Sequence, residues 1–282
     1  MITSKASIKN LSVIENKYIL IKDISFEIIQ GDITIIFGKN GSGKSLLIDC
    51  IMNNITYEGE ITLSTEKVSV LYDSFVSFSF LRVREILSFF ESMYNHARND
   101  DLINRMGIHT IMNKYFKLLS KGERKKIGIY SILISNSDLL IMDEPTDGLD
   151  PIFRKFLWNE IKNSGKTVLM TTHIWEEALD IADKVILIDK GSLLNKPENP
   201  QELIKSIPYE GKFVFDTKGF TEQEFLLEKK HLICLEEEDR IYVYFREKNE
   251  KESILDRLSD RGVVSFSILP IDISDIFLLK TR

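Results

Sequence analysis

A glycine-rich stretch between two apolar segments constrains the fold of this chain more than any other feature. Residues 35–45 read IIFGKNGSGKS and contain G-x-x-x-x-G-K-S, the P-loop or Walker A pattern. The apolar run 33–37 predicts a buried strand, and residues 46–52 predict a helix. Glycines let backbone N–H groups surround a phosphate, and the N-terminus of the following helix favours its negative charge. The order strand, glycine loop, helix therefore predicts a phosphate site in an α/β domain.

Two side chains at the end of this loop suit a nucleotide with its metal ion. Lys44 can reach the β- and γ-phosphates, and the hydroxyl of Ser45 can bind Mg²⁺. The alternative is a glycine-rich turn without a ligand, and the motifs described below argue against it. The predicted phosphate-binding residues of the loop are Gly38, Lys39, Asn40, Gly41, Ser42, Gly43, Lys44 and Ser45.

Two adjacent acids follow a second apolar run. Residues 138–145 read DLLIMDEP, which predicts a buried strand with carboxylates at its C-terminal end. Ligands of open α/β sheets bind at that edge. We predict that Asp143 holds Mg²⁺ and that Glu144 orients or deprotonates the attacking water. An acidic turn on the surface is the alternative, which the P-loop disfavours.

A histidine follows a third buried strand, predicted over residues 166–172. The chain has four histidines, and only His173 comes directly after such a strand. A single histidine is more often structural, and that alternative stays open. The position of His173 at the end of a sheet strand favours a contact with the γ-phosphate, which we predict.

Bulk properties narrow the possible functions. The 282 residues are 43% hydrophobic, enough for one large and one small domain, and the net charge of −6 does not indicate a nucleic-acid partner. Cys50 and Cys234 lie far apart in apolar contexts, which predicts free buried thiols in a reducing compartment. No signal peptide or membrane-spanning run is evident. We expect a protein that is soluble, or peripheral on a membrane through its partners.

Weaker patterns surround these motifs. Residues 81–116 are helical and aromatic in pattern, and the segment 74–80, SFVSFSF, predicts core packing, with a partner surface as the alternative. Ser120 is placed to cap a helix. Further strands are predicted at residues 7–14, 18–29, 57–63, 67–72, 185–189 and 192–194, and further helices at 152–163 and 174–182.

The C-terminal part predicts a separate small domain over residues 211–282, after a proline-containing linker at 194–212. Its pattern is strand, helix, strand, strand, helix, strand, the order of a split-βαβ or ferredoxin-like unit. A loose helical tail is the alternative. The elements are predicted at residues 213–217, 221–229, 232–235, 241–245, 251–260 and 264–269.

Together the motifs resemble those of the ATP-binding cassette (ABC) ATPases, the nucleotide-binding subunits of ABC transporters. Besides Walker A and Walker B, Asp73 aligns with the Q-loop, residues 119–123 with the signature, residues 148–150 with the D-loop, and His173 with the switch histidine. The resemblance spans residues 6–206. It implies a P-loop α/β domain over residues 1–206, with a mixed sheet core, an antiparallel β edge and a helical subdomain at about 81–135.

The same resemblance implies cofactors and partners. ATP and Mg²⁺ would bind each cassette, and two cassettes, identical or different, would form a head-to-tail dimer. Ser120 and Gly122 would then contact the γ-phosphate held by the other cassette. Separate membrane permease subunits would place the protein on the cytoplasmic side of the cell membrane. The C-terminal segment resembles the extension of bacterial exporters of drugs and antimicrobial peptides, which implies export.

The sequence departs from the family pattern at several positions. The signature reads LSKGE where LSGGQ is usual, so Ser120 and Gly122 remain. Asp73 replaces the usual glutamine, and we expect it to reach Mg²⁺ as a shorter, charged group. Ile14 and Glu15, with Tyr18 nearby, stand where an aromatic residue usually stacks on adenine. These departures leave the acidic pair intact.

The sequence thus predicts an ATP-hydrolysing subunit that powers a permease through ATP-driven dimer closure. One alternative is a soluble ABC ATPase with a role outside transport. The other is a regulatory nucleotide-binding module without turnover, against which the intact Lys44, Asp143 and Glu144 argue.

Overall fold

The computed structural model describes residues 3–73, 78–216, 234–237 (backbone only), 240–260, 262–263 and 265–281. Contacts between Cα atoms divide the chain into two compact units, Met1–Pro200 and Gln201–Arg282.

Among its described residues, the first unit contains nine strands and eight complete helices of α or 3₁₀ type. Its strands are β1 (Ser4–Glu15), β2 (Tyr18–Ile29), β3 (Ile33–Phe37), β4 (Glu58–Leu63), β5 (Val68–Leu71), β6 (Leu139–Asp143), β7 (Thr167–Thr172), β8 (Lys184–Asp189) and β9 (Ser192–Leu193). Its α-helices are α1 (Lys44–Ile51), α2 (Val83–Met93), α3 (Asp100–Arg105), α4 (Lys121–Leu133), α5 (Pro151–Ser164) and α6 (Trp175–Ile181). Short 3₁₀ helices occur at Ile108–Ile111 and Phe116–Leu118. Helix α7 (Pro200–Lys205) lies at the boundary of the units.

The central sheet has the strand order β5-β6-β7-β3-β8-β9. The pairs from β5 to β8 are parallel, and β9 is antiparallel to β8. Every residue of β3, β6 and β7 is buried, as expected for parallel strands with both faces covered. The carboxyl ends of these three strands therefore meet at one edge, where the loop after β3 and the residues after β6 and β7 come together.

A second, antiparallel sheet has the order β2-β1-β4 and confirms the predicted antiparallel edge. In β2, Ile24, Phe26 and Ile28 are buried while the alternating polar residues are exposed, as predicted. The two strands predicted at 57–63 and 67–72 exist, but they belong to different sheets, because β4 pairs with β1 and β5 pairs with β6. Cys50 on α1 is buried as predicted, and burial raises the pKa of its thiol to about 11.

The region with the predicted helical pattern, residues 81–116, consists of several short helices. Asn95 and Gly107 adopt positive φ angles, +49° and +70°, which end the helical conformation after α2 and α3. The two described aromatic residues of the segment 74–80 differ in their packing. Phe78 packs on Phe90 with ring centroids 5.9 Å apart, whereas Phe80 is 85% exposed. Residues 74–77 lie outside the described part.

The second unit contains a four-stranded antiparallel sheet. Its strands are β10 (Gly211–Asp216), β11 (Cys234–Glu237), β12 (Arg240–Phe245) and β13 (Ser267–Leu269), and its described helices are α8 (Lys248–Asp260) and α9 (Ile273–Lys280). The strand order β11-β12-β10-β13 is that of the predicted split-βαβ unit. The helix predicted at 221–229 and the side chain of Cys234 lie outside the described residues.

Buried polar groups hold α9 on this second sheet. Lys212 Nζ donates to Asp275 at 2.7 Å and to Asp272 at 3.0 Å. The Tyr244 hydroxyl donates to Asp275 at 2.7 Å. Since Asp272 also caps α9 through Ser274 N, the network fixes the start of the last helix.

Candidate functional site

The loop after β3 has a backbone path that only glycine permits at two positions. A Cβ atom on Gly38 would lie 2.5 Å from the carbonyl oxygen of Ile188 and 2.5 Å from Ser42 Oγ. Gly43, with φ +107°, is the residue before α1. The loop curls around Lys44, whose Nζ donates to the carbonyl oxygens of Gly38 at 2.8 Å and Lys39 at 3.2 Å.

A cavity of about 630 Å³ opens beside this loop at the carboxyl edge of the central sheet. It brings together the loop, the acidic pair after β6 and the histidine after β7, as predicted from the strand ends. Its lining residues are Leu20, Asn40, Gly41, Gly43, Lys44, Ser45, Leu46, Asp73, Asp143, Glu144, Asp147 and His173.

Glu144 is at the centre of the charged groups in this cavity. Its Oε1 lies 3.1 Å from Lys44 Nζ, and its Oε2 lies 2.6 Å from Nδ1 of His173. The Glu144 side chain is 14% exposed and that of His173 is 39% exposed. A carboxylate held between a lysine and an imidazole, beside a phosphate-binding loop, can orient a water molecule and accept its proton.

Thr171, which sequence reasoning missed, fixes both acids. Its hydroxyl donates to Asp143 Oδ1 at 2.5 Å and accepts from the backbone N–H of Glu144 at 3.1 Å. Glu144 has φ +46°, a left-handed conformation that is unfavourable for a residue with a Cβ. The surrounding hydrogen bonds therefore hold Glu144 in a strained backbone geometry at the site.

Lys125 on α4 is a second residue that the sequence did not single out. Its side chain is 2% exposed, and its Nζ donates to Asp73 Oδ1 at 2.7 Å and to the carbonyl oxygen of Glu144 at 2.8 Å. Asp73, predicted as a metal ligand, does line the cavity, and its side chain is 45% exposed. One of its carboxylate oxygens is engaged by Lys125.

A further ion pair lies at the cavity rim. Lys121 Nζ donates to Asp147 Oδ2 at 2.6 Å. This hydrogen bond lowers the pKa of Asp147 and raises that of Lys121. Both groups therefore remain charged over a wide pH range, which adds an anion and a cation beside the predicted site.

The buried carboxylate of Glu177 is hydrogen-bonded to the C-terminal end of β7 and to the loop after β6. Glu177 on α6 accepts hydrogen bonds from the hydroxyls of Thr146 at 2.5 Å and Thr172 at 2.6 Å. Burial raises the pKa of Glu177. Through Thr172 and Thr146, Glu177 joins the residue before His173 to the loop after Glu144.

Ser120 and Gly122, the signature residues predicted to contact a nucleotide, lie outside the lining of this cavity. Ser120 is exposed and caps α4, where its Oγ accepts from the N–H of Glu123 at 3.2 Å. A Cβ on Gly122 would lie 3.1 Å from the carbonyl oxygen of Gly148, so the signature helix packs closely on the D-loop. Neither Ser120 nor Gly122 is among the cavity-lining residues.

The described residues fit a nucleotide with a divalent ion. Ser42 Oγ is buried and has no hydrogen-bond partner within the described part of the chain, and it lies in the loop that would surround phosphate oxygens. Ser45 and Asp143 both line the cavity and carry the oxygen ligands that Mg²⁺ prefers. Tyr18, the aromatic residue nearest the position where family members stack on adenine, is 74% exposed and does not line the cavity, whereas Leu20 does.

Comparisons with known proteins agree with this arrangement. Residues 21–147 match the family model described as ABC transporter. The ABC transporter ATP-binding protein NatA of Bacillus subtilis is 32% identical over 62% of this chain and 80% of its own length. The uncharacterized ABC transporter ATP-binding protein YdbJ of the same organism is also 32% identical, and the chain covers 63% of its length.

One much longer relative matches more of the chain. The cholesterol transporter ABCA5 of Homo sapiens is 27% identical over 92% of this chain, which spans only 18% of that protein. Among solved structures, an ATP-binding subunit of an ABC transporter aligns with a TM-score of 0.66 and 20% identity over 72% of this chain and 93% of its own. The cbiO1 subunit from Clostridium perfringens aligns with a TM-score of 0.59 and 23% identity over 72% of this chain and 91% of its own. These structures share the fold of the part of this chain that they cover.

Proposed function

The chain belongs to the ABC transporter ATP-binding protein family, and from this premise we propose that it hydrolyses ATP to power a separate membrane permease. The observation that carries the proposal is the position of Glu144 in the cavity. Its two carboxylate oxygens contact Lys44 and His173 beside the phosphate-binding loop. Members of the family bind ATP and generally hydrolyse it.

In the proposed reaction the N–H groups and side chains of residues 38–45 hold the phosphates of ATP. Mg²⁺, held by Ser45 and Asp143, would neutralise charge on the β- and γ-phosphates. Glu144 orients the attacking water and accepts its proton, and His173 holds the other oxygen of that carboxylate and contacts the γ-phosphate. Thr171 keeps Asp143 and Glu144 in their relative positions.

We further propose that two cassettes close around two ATP molecules. The exposure of Ser120 and the position of Gly122 outside the cavity lining fit a role for both on the nucleotide of a second subunit. Closure moves the permease only if ATP binds the closed dimer more tightly than the open one, because a ligand shifts an equilibrium by its differential affinity.

We also propose that the transporter exports its substrate and that this chain lies on the cytoplasmic face of the membrane. The described part of the chain holds no helix whose length and apolar character would let it cross a bilayer. By resemblance to the family, we propose that the permease consists of separate polypeptides. The match to ABCA5 covers 92% of the chain and so extends into the second unit, which supports a transporter role for the whole chain. We propose residues 1–206 and 211–282 as the cassette and the accessory domain.

The experiment that tests this function isolates the chain from membranes of the cells that make it, after mild cross-linking. We expect a multi-span membrane protein to co-purify and the ATP turnover of the chain to change when the two are reconstituted in lipid vesicles. A Lys44→Ala chain is the control, because it should retain the permease without driving transport. Recovery of the chain only from the soluble fraction, with turnover that no membrane protein alters, would favour the soluble ATPase instead.

A further inference from the structure

Lys125 occupies a position where a buried cation is costly unless it is paired. Its side chain is 2% exposed, and an ammonium group taken out of water loses most of its hydration. Its Nζ atom is satisfied by one charged and one neutral acceptor, Asp73 Oδ1 at 2.7 Å and the carbonyl oxygen of Glu144 at 2.8 Å. The carboxylate that neutralises Lys125 thus lies on the loop after β5, 52 residues away along the chain.

The neutral acceptor is the backbone of the residue proposed as the general base. Glu144 has φ +46°, and its peptide groups are fixed from two sides. Its N–H donates to Thr171 Oγ1 at 3.1 Å, and its carbonyl oxygen accepts from Lys125 Nζ. The backbone N–H of Asp147 also donates to this carbonyl oxygen, at 3.2 Å. Removing the lysine leaves only that longer hydrogen bond on the carbonyl oxygen, so the strained backbone can relax and displace the carboxylate.

From these contacts we infer that Lys125 is a positioning residue for Glu144 and that Asp73 serves as its counterion. This inference rests on the proposed hydrolytic function. It replaces the metal-binding role predicted for Asp73 with a role that acts through Lys125. Lys125 lies on α4, which begins at Lys121, immediately after Ser120. Lys125 therefore also connects Glu144 to the helix whose N-terminal end is proposed to contact the ATP of the second subunit.

The two partners differ in exposure, and this difference makes the inference testable. The Asp73 side chain is 45% exposed, so an aspartate freed from its partner is solvated by water. Lys125 without Asp73 is a buried charge without a counterion. Loss of Asp73 alone should therefore be more harmful to stability than loss of both residues.

The experiment compares Asp73→Ala, Lys125→Met and the double variant in the full-length chain. For each we would measure kcat, the KM for ATP, the Mg²⁺ concentration at half-maximal rate and the thermal midpoint. Lys126→Met is the matched control, since this neighbouring lysine lies 4.4 Å from the Phe153 ring centroid and outside the site. Glu144→Gln is measured in parallel, because an unaffected Glu144→Gln would overturn the proposed function itself.

We expect Lys125→Met to lower kcat roughly tenfold, within the range that small displacements of a catalytic group produce, with little change in KM. Asp73→Ala should have no additional effect on rate or Mg²⁺ dependence in the Lys125→Met background. Independently of turnover, Asp73→Ala should lower the thermal midpoint by roughly 2–4 °C and the double variant should regain it.

Three results would overturn the inference. Turnover of Lys125→Met at the parental rate would show that the lysine does not position Glu144. An equal shift in Mg²⁺ dependence by Asp73→Ala in both backgrounds would assign Asp73 to the metal. A double variant that is less stable than Asp73→Ala alone would show that the two residues are not a pair.

Discussion

Nζ of Lys44 and Oε1 of Glu144 lie 3.1 Å apart, so the lysine of the phosphate loop and the acid after β6 form an ion pair. Both side chains are largely buried, with 5% and 14% exposure. The same lysine donates to the carbonyl oxygens of Gly38 and Lys39. A lysine so placed can interact with phosphate oxygens and with the acid that acts on the attacking water, which joins nucleotide binding to hydrolysis.

The first prediction concerns that lysine. Lys44→Ala should weaken ATP binding roughly 10- to 100-fold, because a hydrogen bond to a charged group contributes about 1.5–3 kcal/mol. Binding is measured by titration calorimetry with a slowly hydrolysed ATP analogue. Lys162→Ala on α5 is the control, since its Nζ donates to the carbonyl oxygen of Asp180 away from the cavity. Equal affinity for both variants would remove Lys44 from the phosphate site.

The second prediction concerns Thr171, whose hydroxyl joins the two acids. Thr171→Val keeps the shape of the side chain but leaves the N–H of Glu144 and one oxygen of Asp143 without this partner. Each such loss costs about 1–3 kcal/mol, so we expect lower stability and a kcat reduced at least tenfold. Thr171→Ser retains the hydroxyl and should stay within about threefold of the parental rate. Similar rates for the two variants would contradict the assigned role.

Much of this site follows from the order of motifs along the chain. The glycine loop, the acidic pair and His173 each follow a buried strand, and parallel strands bring their carboxyl ends to one edge. The element order of the second unit was likewise predicted from segments such as 241–245, and that order is typical of a split-βαβ unit. These features are local, because each depends on residue spacing within a short segment.

The residues that the sequence did not reveal act through contacts distant along the chain. Lys125 is one of several basic residues at the start of α4, and only the fold places it against Asp73 and Glu144. Thr171 is an ordinary threonine in a buried strand, yet its partners are Asp143 at the end of the neighbouring strand β6 and Glu144, the residue after that strand. Periodicity cannot predict which side chain meets which across a sheet, so these positioning residues needed the structure.

The third prediction tests the shared site of the proposed dimer. Mixing Lys44→Ala chains with Ser120→Ala chains gives dimers in which one site carries both defects and the other carries neither. We expect partial recovery of ATP turnover relative to either variant alone. Fluorescent labels on the two chains report the fraction of mixed dimers. Well-mixed dimers without any recovery would argue that Ser120 does not act on the second subunit's nucleotide.

The fourth prediction separates the two units. All residues that line the nucleotide cavity belong to Met1–Pro200. Truncation after Ser206 should therefore leave ATP affinity within about threefold of the parental value, while stability, dimer formation or transport declines. Circular dichroism establishes that the truncated chain is folded. Complete loss of nucleotide binding in a folded truncated chain would show that the second unit is part of the site.

The most direct test of the account is the ATP turnover of Glu144→Gln, measured with the permease present. The amide keeps the size of the side chain but cannot accept the proton of the attacking water. We predict that ATP affinity is retained and that turnover falls by roughly 10²- to 10⁴-fold, the contribution of a general base. Hydrolysis at the parental rate would contradict the assignment of Glu144 and, with it, the proposed mechanism of this chain.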